Sequence, residues 1–296
     1  MKIWILNNTK IDKYKDWENY FNTIFIPLLD KYSKDDDIVL HLGNIFNNSD
    51  FVSIKILNKL IDIFSKIAEK RAFYFLDGYD TELLKTIKRI DNTTIIDEPL
   101  SIDNIKFIPK KYNIIEHIDN DIVFINSQIE QSLLKNYKQK FYCGYYDLMM
   151  KNDNIINVGT PYQLNENSSS GIYVVDSKSL KQKYLPNKKS IIYKTIRITN
   201  LSQIDDLDSE FINNNNVSIE IDKSLIDDKK LKIDVLLNKY NFKAVSYINE
   251  TDDDIELIDN SSLKMEDLLI EKIKNSDNKL LLSEFENIMK IYKERY

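Results

Sequence analysis

Between Phe141 and Asp176 the chain reads FYCGYYDLMMKNDNIINVGTPYQLNENSSSGIYVVD. Two short apolar runs, Phe141–Cys143 and Asn154–Val158, are followed by a Gly-Thr-Pro turn and a third run, Ile172–Val175. Apolar runs this short, bounded by Gly, Asn and Pro, read as buried strands closed by turns. The rest of the chain has to supply the layers that cover them.

Those layers are legible upstream. Lys2–Leu6, Asp37–Leu42 and Phe73–Leu76 read as strands. Asp16–Tyr32 places Trp17, Tyr20, Phe21, Ile24, Phe25, Leu28 and Leu29 at helical spacing. A second helix is expected from a cap at Asp50 through Glu69, with Ile54, Ile56, Leu57, Leu60, Ile61, Ile63, Phe64 and Ile67 as its broad buried stripe. A third covers Thr81–Ile90. Thr94–Ile96, Leu100–Ile102, Ile105–Ile108 and Ile122–Ile125 are further strands, with a helix near Gln128–Lys135. Strands alternating with helices predict a layered α/β domain.

Beyond about Asn187 the pattern changes. Leu201–Asn216 is polar and acidic and reads as a boundary with some helix. Val217–Ile221, a helix near Asp227–Lys239 and Lys243–Ile248 form a small β-α-β unit. After the acidic loop Glu250–Glu256, amphipathic helices at about Leu263–Lys274 and Leu280–Tyr292 finish the chain. The expected division is 1–200 for the main domain, 201–258 for a small cap and 259–296 for the terminal helices.

Composition narrows the function. With 296 residues, 43% hydrophobic and 30% charged, the chain can bury a sizeable core. It has no run of about 18 apolar residues, so no membrane span is expected. The single cysteine, Cys143, excludes an intramolecular disulfide and suits a reducing, cytoplasmic compartment. A net charge of −6 argues against strong unaided DNA binding, which needs clustered cations. Abundant Lys, Asn and Ile with only five Gly is the coding bias of an AT-rich genome, such as a viral one, and implies no mechanism.

The order of motifs along the chain resembles the SbcD-type nucleases of double-strand-break repair, a branch of the calcineurin-like metallophosphatases. Gly144, the segment Gly159-Thr160-Pro161-Tyr162-Gln163-Leu164 and the strand opening Gly171-Ile172-Tyr173 stand where that family closes its nuclease domain. The resemblance implies a four-layer α/β sandwich, a β-α-β cap and C-terminal helices that grip an SbcC-type ATPase. In the family two metal ions on strand-end loops activate water and clamp a phosphate.

The ligand positions depart from that pattern. Asn8-Thr9-Lys10 stands for Asp-x-His, and Gly43-Asn44-Ile45-Phe46-Asn47 for Gly-Asp-x-Phe-Asp. Asp77-Gly78-Tyr79-Asp80 stands for Gly-Asn-His-Asp, Asn126-Ser127 for the lone His, and Gly144-Tyr145-Tyr146-Asp147 for Gly-His-x-His. The degenerate positions are thus Asn8, Lys10, Asn44, Gly78, Tyr79, Ser127, Tyr145 and Asp147. Of the two histidines, His41 reads as a satisfied sheet residue and His117 as a surface one. The expectation is a non-catalytic SbcD-like subunit without a cofactor. Mn²⁺ or Mg²⁺ would enter only through displaced carboxylates among Asp12, Asp77, Asp80 and Asp147. Asp252-Asp253-Asp254 reads as solvated charge.

Two candidate surfaces remain. Lys181, Lys183, Lys188, Lys189, Lys194 and Arg197, with Lys178 and interleaved Tyr184 and Tyr193, form a weak candidate DNA face. Leu281, Phe285, Ile288, Met289 and Tyr292 line one face of the last helix and suit a groove on a partner. Candidate partners are the SbcC-type ATPase or another assembly, DNA, and a second copy of the chain. The rival readings are an active nuclease or phosphodiesterase with displaced ligands, and a structural or regulatory subunit of a viral assembly.

Overall fold

The first strand, β1 (Lys2–Leu6), is apolar on both faces and is buried on both. A computed structural model describes residues 1–13, 16–47, 52–76, 85–112, 118–126, 137–200, 202–225, 233 and 239–248. In it Ile3 and Ile5 face a second sheet, while Trp4 and Leu6 face helices. The expected helix over Asp16–Tyr32 is α1 (Trp17–Tyr20), a π-helical turn (Phe21–Phe25) and α2 (Ile26–Tyr32). Pro27, at the start of α2, has no N–H to offer the preceding turn, which widens accordingly.

The strand β2 (Ile38–His41) pairs in parallel with β1. The helix α3 (Ile54–Ala68) then crosses back, burying Leu60, Ile63, Phe64 and Ile67. Its N-cap is Ser53, whose side chain accepts from Ile56 N at 3.2 Å. The cap expected at Asp50 falls outside the described residues. β3 (Ala72–Leu76) and β4 (Thr93–Ile96) continue the parallel run. Helix-mediated crossovers are what parallel neighbours require.

The second sheet follows. β5 (Leu100–Ile102) and β6 (Ile105–Ile108) form a hairpin, then β7 (Ile122–Ile125) and β8 (Lys140–Cys143) add in parallel. β9 (Met150–Asn152) and β10 (Ile155–Asn157) close it as a second hairpin, in the order β5-β6-β7-β8-β10-β9. Both hairpins turn on Asp-Asn pairs whose Asp has positive φ, Asp103 at 49° and Asp153 at 47°. Aspartate tolerates that region better than most residues.

The chain then returns to the first sheet. β11 (Gly171–Asp176) lies antiparallel to β1, and β12 (Gln182–Pro186) forms the outer edge, giving β12-β11-β1-β2-β3-β4. The α/β sandwich is therefore two six-stranded sheets with helices over the first. Between the sheets runs a series of ring contacts, Tyr74–Phe107–Phe124–Tyr142–Tyr173–Tyr184, with centroids 5.2–6.4 Å apart. The outer face of the second sheet is also buried, through Val123, Ile125, Phe141 and Ile155. The helix expected over it, near Gln128–Lys135, lies outside the described residues.

A third sheet, β13-β14-β15, is all parallel. Its strands are β13 (Tyr193–Ile198), β14 (Asn216–Asp222) and β15 (Ala244–Ile248). Two short helices, α4 (Ser202–Asp205) and α5 (Ser209–Asn214), join β13 to β14. The sheet takes its first strand from upstream of the acidic boundary. Most of the Asp227–Lys239 segment, the Asp252–Asp254 run and the terminal helices lie outside the described residues.

Candidate functional site

Where β1 and β2 end, their exit loops run side by side. Asn8 N donates to Gly43 O at 3.1 Å, Lys10 N to Asn44 O at 3.3 Å and Ile11 N to Ile45 O at 2.8 Å. Asn8, Lys10 and Asn44 all take left-handed backbone, with φ of 46°, 39° and 56°. Asparagine adopts that region readily, whereas a lysine there costs about 1 kcal/mol. The paired loops turn Asn8 and Asn44 toward the exit of β8.

There the side chains form a closed network. Lys10 Nζ lies 2.8 Å from Asp147 Oδ2, and the pair is about a quarter exposed or less (21% and 25%). The other carboxylate oxygen, Asp147 Oδ1, accepts from Asn8 Nδ2 at 3.1 Å. Asn8 Nδ2 also donates to Tyr145 O at 3.1 Å, and Asn8 Oδ1 accepts from Asn44 Nδ2 at 2.6 Å. Asn126 is buried at the end of β7 with its amide against Gly43. Lys110, just past β6, holds its ammonium 6.0 Å above the Tyr145 ring, and burial pushes its pKa down.

Beneath this rim lies a buried floor. Tyr162 OH donates to Thr9 O, and the Tyr162 ring packs edge-on against Tyr20 at 5.2 Å. His41 Nδ1 accepts from Gly43 N at 3.1 Å, and Nε2 meets Thr9 Oγ1 at 3.1 Å while Thr9 Oγ1 donates to Ile45 O. The ring is therefore neutral with its proton on Nε2, and complete burial lowers its pKa to about 3. The satisfied sheet histidine expected for His41 is what the structure contains. Asn7 Nδ2 donates to Gly159 O at 2.8 Å.

Two glycines allow these layers to meet. A Cβ on Gly144 would come within 2.7 Å of Leu42 Cβ and 3.0 Å of Asn7 Oδ1, so only glycine lets the β8 exit approach the first sheet. Gly159 has φ of 75°, and a Cβ there would fall 2.9 Å from Met149 N. After it, Thr160 Oγ1 donates to Ser169 O at 2.6 Å, Tyr162 pins Thr9, and Leu164 enters the core. The Gly159–Leu164 segment singled out in the sequence is a brace for the β1 exit.

Asn8, Lys10, Asn44, Tyr145 and Asp147 are thus brought together. Gly78, Tyr79 and Ser127 lie outside the described residues, as do Asp77, Asp80 and His117. Asp12 lies nearby, accepting from Asn47 N. Sequence reasoning missed Lys110 and gave Asn126 no role of its own; the signal was that Asn126 directly follows β7 and that Lys110 follows β6 after Pro109. The basic candidates are all exposed but divide between two sheets. Lys181 and Lys183 are at the edge of the first, Lys188 and Lys189 in a turn, and Lys194 and Arg197 on β13.

The two-metal centre implied by the resemblance does not fit these donors. Among the described residues no group of three or more His, Cys, Asp or Glu side chains is gathered. The one rim carboxylate in the network already holds a lysine ammonium. A divalent ion about 4 Å from that ammonium meets a repulsion of roughly 8 kcal/mol at an effective dielectric near 20. Asn8 Oδ1, the oxygen that could ligate, accepts from Asn44. Among the described residues no helix is long and apolar enough to cross a membrane.

No family model and no curated protein matches the chain. Among the solved structures similar to it is an archaeal phosphodiesterase, 17% identical with a TM-score of 0.37, over 63% of this chain and 100% of the other. A likeness this distant assigns neither chemistry nor substrate to the present chain.

Proposed function

We propose that this chain is a non-catalytic member of the metallophosphatase type, an SbcD-like subunit whose rim has become a fixed polar surface. It would serve as an interaction scaffold associated with a protein partner or with DNA. The observation that carries the reading is the Lys10–Asp147 ion pair with Asn8 and Asn44 around it. A cation built into the chain neutralises the one carboxylate of the network that a displaced metal site could draw on. The rim's described hydrogen bonds join its own side chains to one another and to the Tyr145 carbonyl. The SbcC-type ATPase, DNA and a viral setting are supported by motif order and composition alone.

The test is Mn²⁺ binding by calorimetry together with Mn²⁺-dependent hydrolysis of bis(p-nitrophenyl) phosphate by the full chain. The expected result is no stoichiometric Mn²⁺ uptake and no turnover in a sample that melts cooperatively. Turnover abolished by Asp147→Ala would overturn the reading and assign the rim to catalysis.

A further inference from the structure

A cavity of about 460 Å³ opens on the helix-facing side of the first sheet, away from the rim, between α2 and the strands β1, β11 and β12. Its apolar wall is Trp4, Leu28, Tyr32, Val174 and Leu185. The helix layer reaches β1, but α2 ends at Tyr32, and the two antiparallel strands added beyond β1 continue past it. Tyr32 is half exposed at 50%, although its neighbours Trp4 and Leu29 are buried. An apolar concavity of a few hundred cubic ångströms with a few charged groups at its margin is the usual form of a small-molecule site.

The charged margin is net cationic, with three lysines against one carboxylate, Asp176, which is the cross-strand backbone partner of Lys2. Lys2, Lys181 and Lys183 line the cavity, and none of them forms a salt bridge among the described residues. The one carboxylate present, Asp176, is engaged in its own turn. It accepts from Ser179 N at 2.7 Å, Ser179 Oγ at 2.9 Å and Lys178 N at 3.2 Å. Trp4, 2% exposed, lines the cavity, and its indole N–H, shut off from solvent, has no acceptor among the described residues.

We propose that this cavity binds a small amphiphilic anion, an aryl or acyl carboxylate, with its apolar body against Trp4, Tyr32 and Leu185 and its carboxylate among Lys2, Lys181 and Lys183. The apolar wall supplies affinity by area removed from water. The three ammonium groups supply selection for the anion over a neutral or cationic isostere. The two lysines read in the sequence as part of a DNA face are then ligand-binding residues. The site is independent of the rim and of the function proposed for it.

The probe is 2-naphthoate, titrated into the full chain by calorimetry, with 2-naphthalenemethanol and 2-naphthylmethylamine as neutral and cationic isosteres. Naphthoate is expected to bind one per chain, the alcohol about tenfold more weakly and the amine not at all. The exposed charge reversal Lys181→Glu/Lys183→Glu is expected to weaken naphthoate at least about tenfold with an unchanged melting temperature. Tyr32→Ala, at a half-exposed position, is expected to weaken naphthoate and the alcohol together. Equal binding of naphthoate and the amine would overturn the proposal, as would undiminished affinity in the charge-reversed chain. Uptake of a single-stranded oligonucleotide, lost on charge reversal, with no uptake of naphthoate, would overturn it in favour of a nucleic-acid surface.

Discussion

Tyr162 and Asp147 hold the same loop, Asn8-Thr9-Lys10, from opposite sides. Tyr162 reaches it from below, fully buried, with a hydroxyl bonded to Thr9 O and a ring packed on Tyr20. Asp147 holds it from above, partly exposed, through Lys10 and Asn8. Below, the interactions are neutral, buried and mutually dependent, so each carries a large share of stability. Above, they are ionic and partly hydrated, and pairs of that kind contribute little. Folding therefore constrains the floor strongly and the rim weakly. A rim that folding leaves free can change its chemistry while the frame survives.

The largest expected effect tests the floor through pH. His41 has a pKa near 3 in the folded chain because burial penalises its charged form, against about 6.5 when unfolded. Above pH 6.5 both states are neutral at this residue and it has no effect. Between pH 6.5 and 3 the unfolded chain takes up a proton that the native one refuses, so stability is lost as pH falls. The loss approaches about 5 kcal/mol at the lower end, with about half of it by pH 4.5. Urea unfolding across this range should show that excess loss relative to a His41→Gln chain. Parallel curves for the two proteins would mean that His41 is reached by water and that the floor is less closed than described.

Next in size is the brace. Tyr162→Ala removes a fully buried ring and is expected to cost about 4 kcal/mol. Tyr162→Phe keeps the ring and leaves Thr9 O without its donor, at about 1–2 kcal/mol. Chemical denaturation midpoints separate the two. A Tyr162→Phe cost equal to that of Tyr162→Ala would mean that the hydrogen bond, and not the packing, fixes the β1 exit.

The same contrast explains what could be read from the sequence. The strands Leu100–Ile102, Ile105–Ile108 and Ile122–Ile125 have their expected bounds, because each is a mainly apolar run, interrupted only by Ser101 in the first and Lys106 in the second, set between turn residues. β9 was not legible: Met150-Lys151-Asn152 is exposed throughout and owes its strand state to pairing with β10. β12 and β13 were hidden in the lysine-rich segment for the same reason, as partly exposed strands with mixed polarity. At the rim, motif order located Asn8, Lys10, Asn44, Tyr145 and Asp147. No sequence pattern could show that Lys10 and Asp147 meet across 137 positions. That contact depends on Gly144 drawing the second sheet's exit against the first.

The smallest expected effect bears on the rim itself. Lys10 does two opposing things: it pairs with Asp147, and it occupies a left-handed backbone position unsuited to a β-carbon. Lys10→Met removes the ion pair and keeps the strain, and is expected to cost at most about 1 kcal/mol. Lys10→Gly removes both, and the relief of about 1 kcal/mol of backbone strain should offset the lost pair. The unfolded glycine chain gains entropy, which moderates the relief. Melting temperatures are therefore expected to order as wild type and Lys10→Gly nearly together, with Lys10→Met slightly below. If Lys10→Gly instead falls by several kcal/mol, the Lys10–Asp147 pair belongs with the floor as part of what folds the chain. Its presence would then be explained by stability, and it would no longer bear on whether the rim has given up its metal ions.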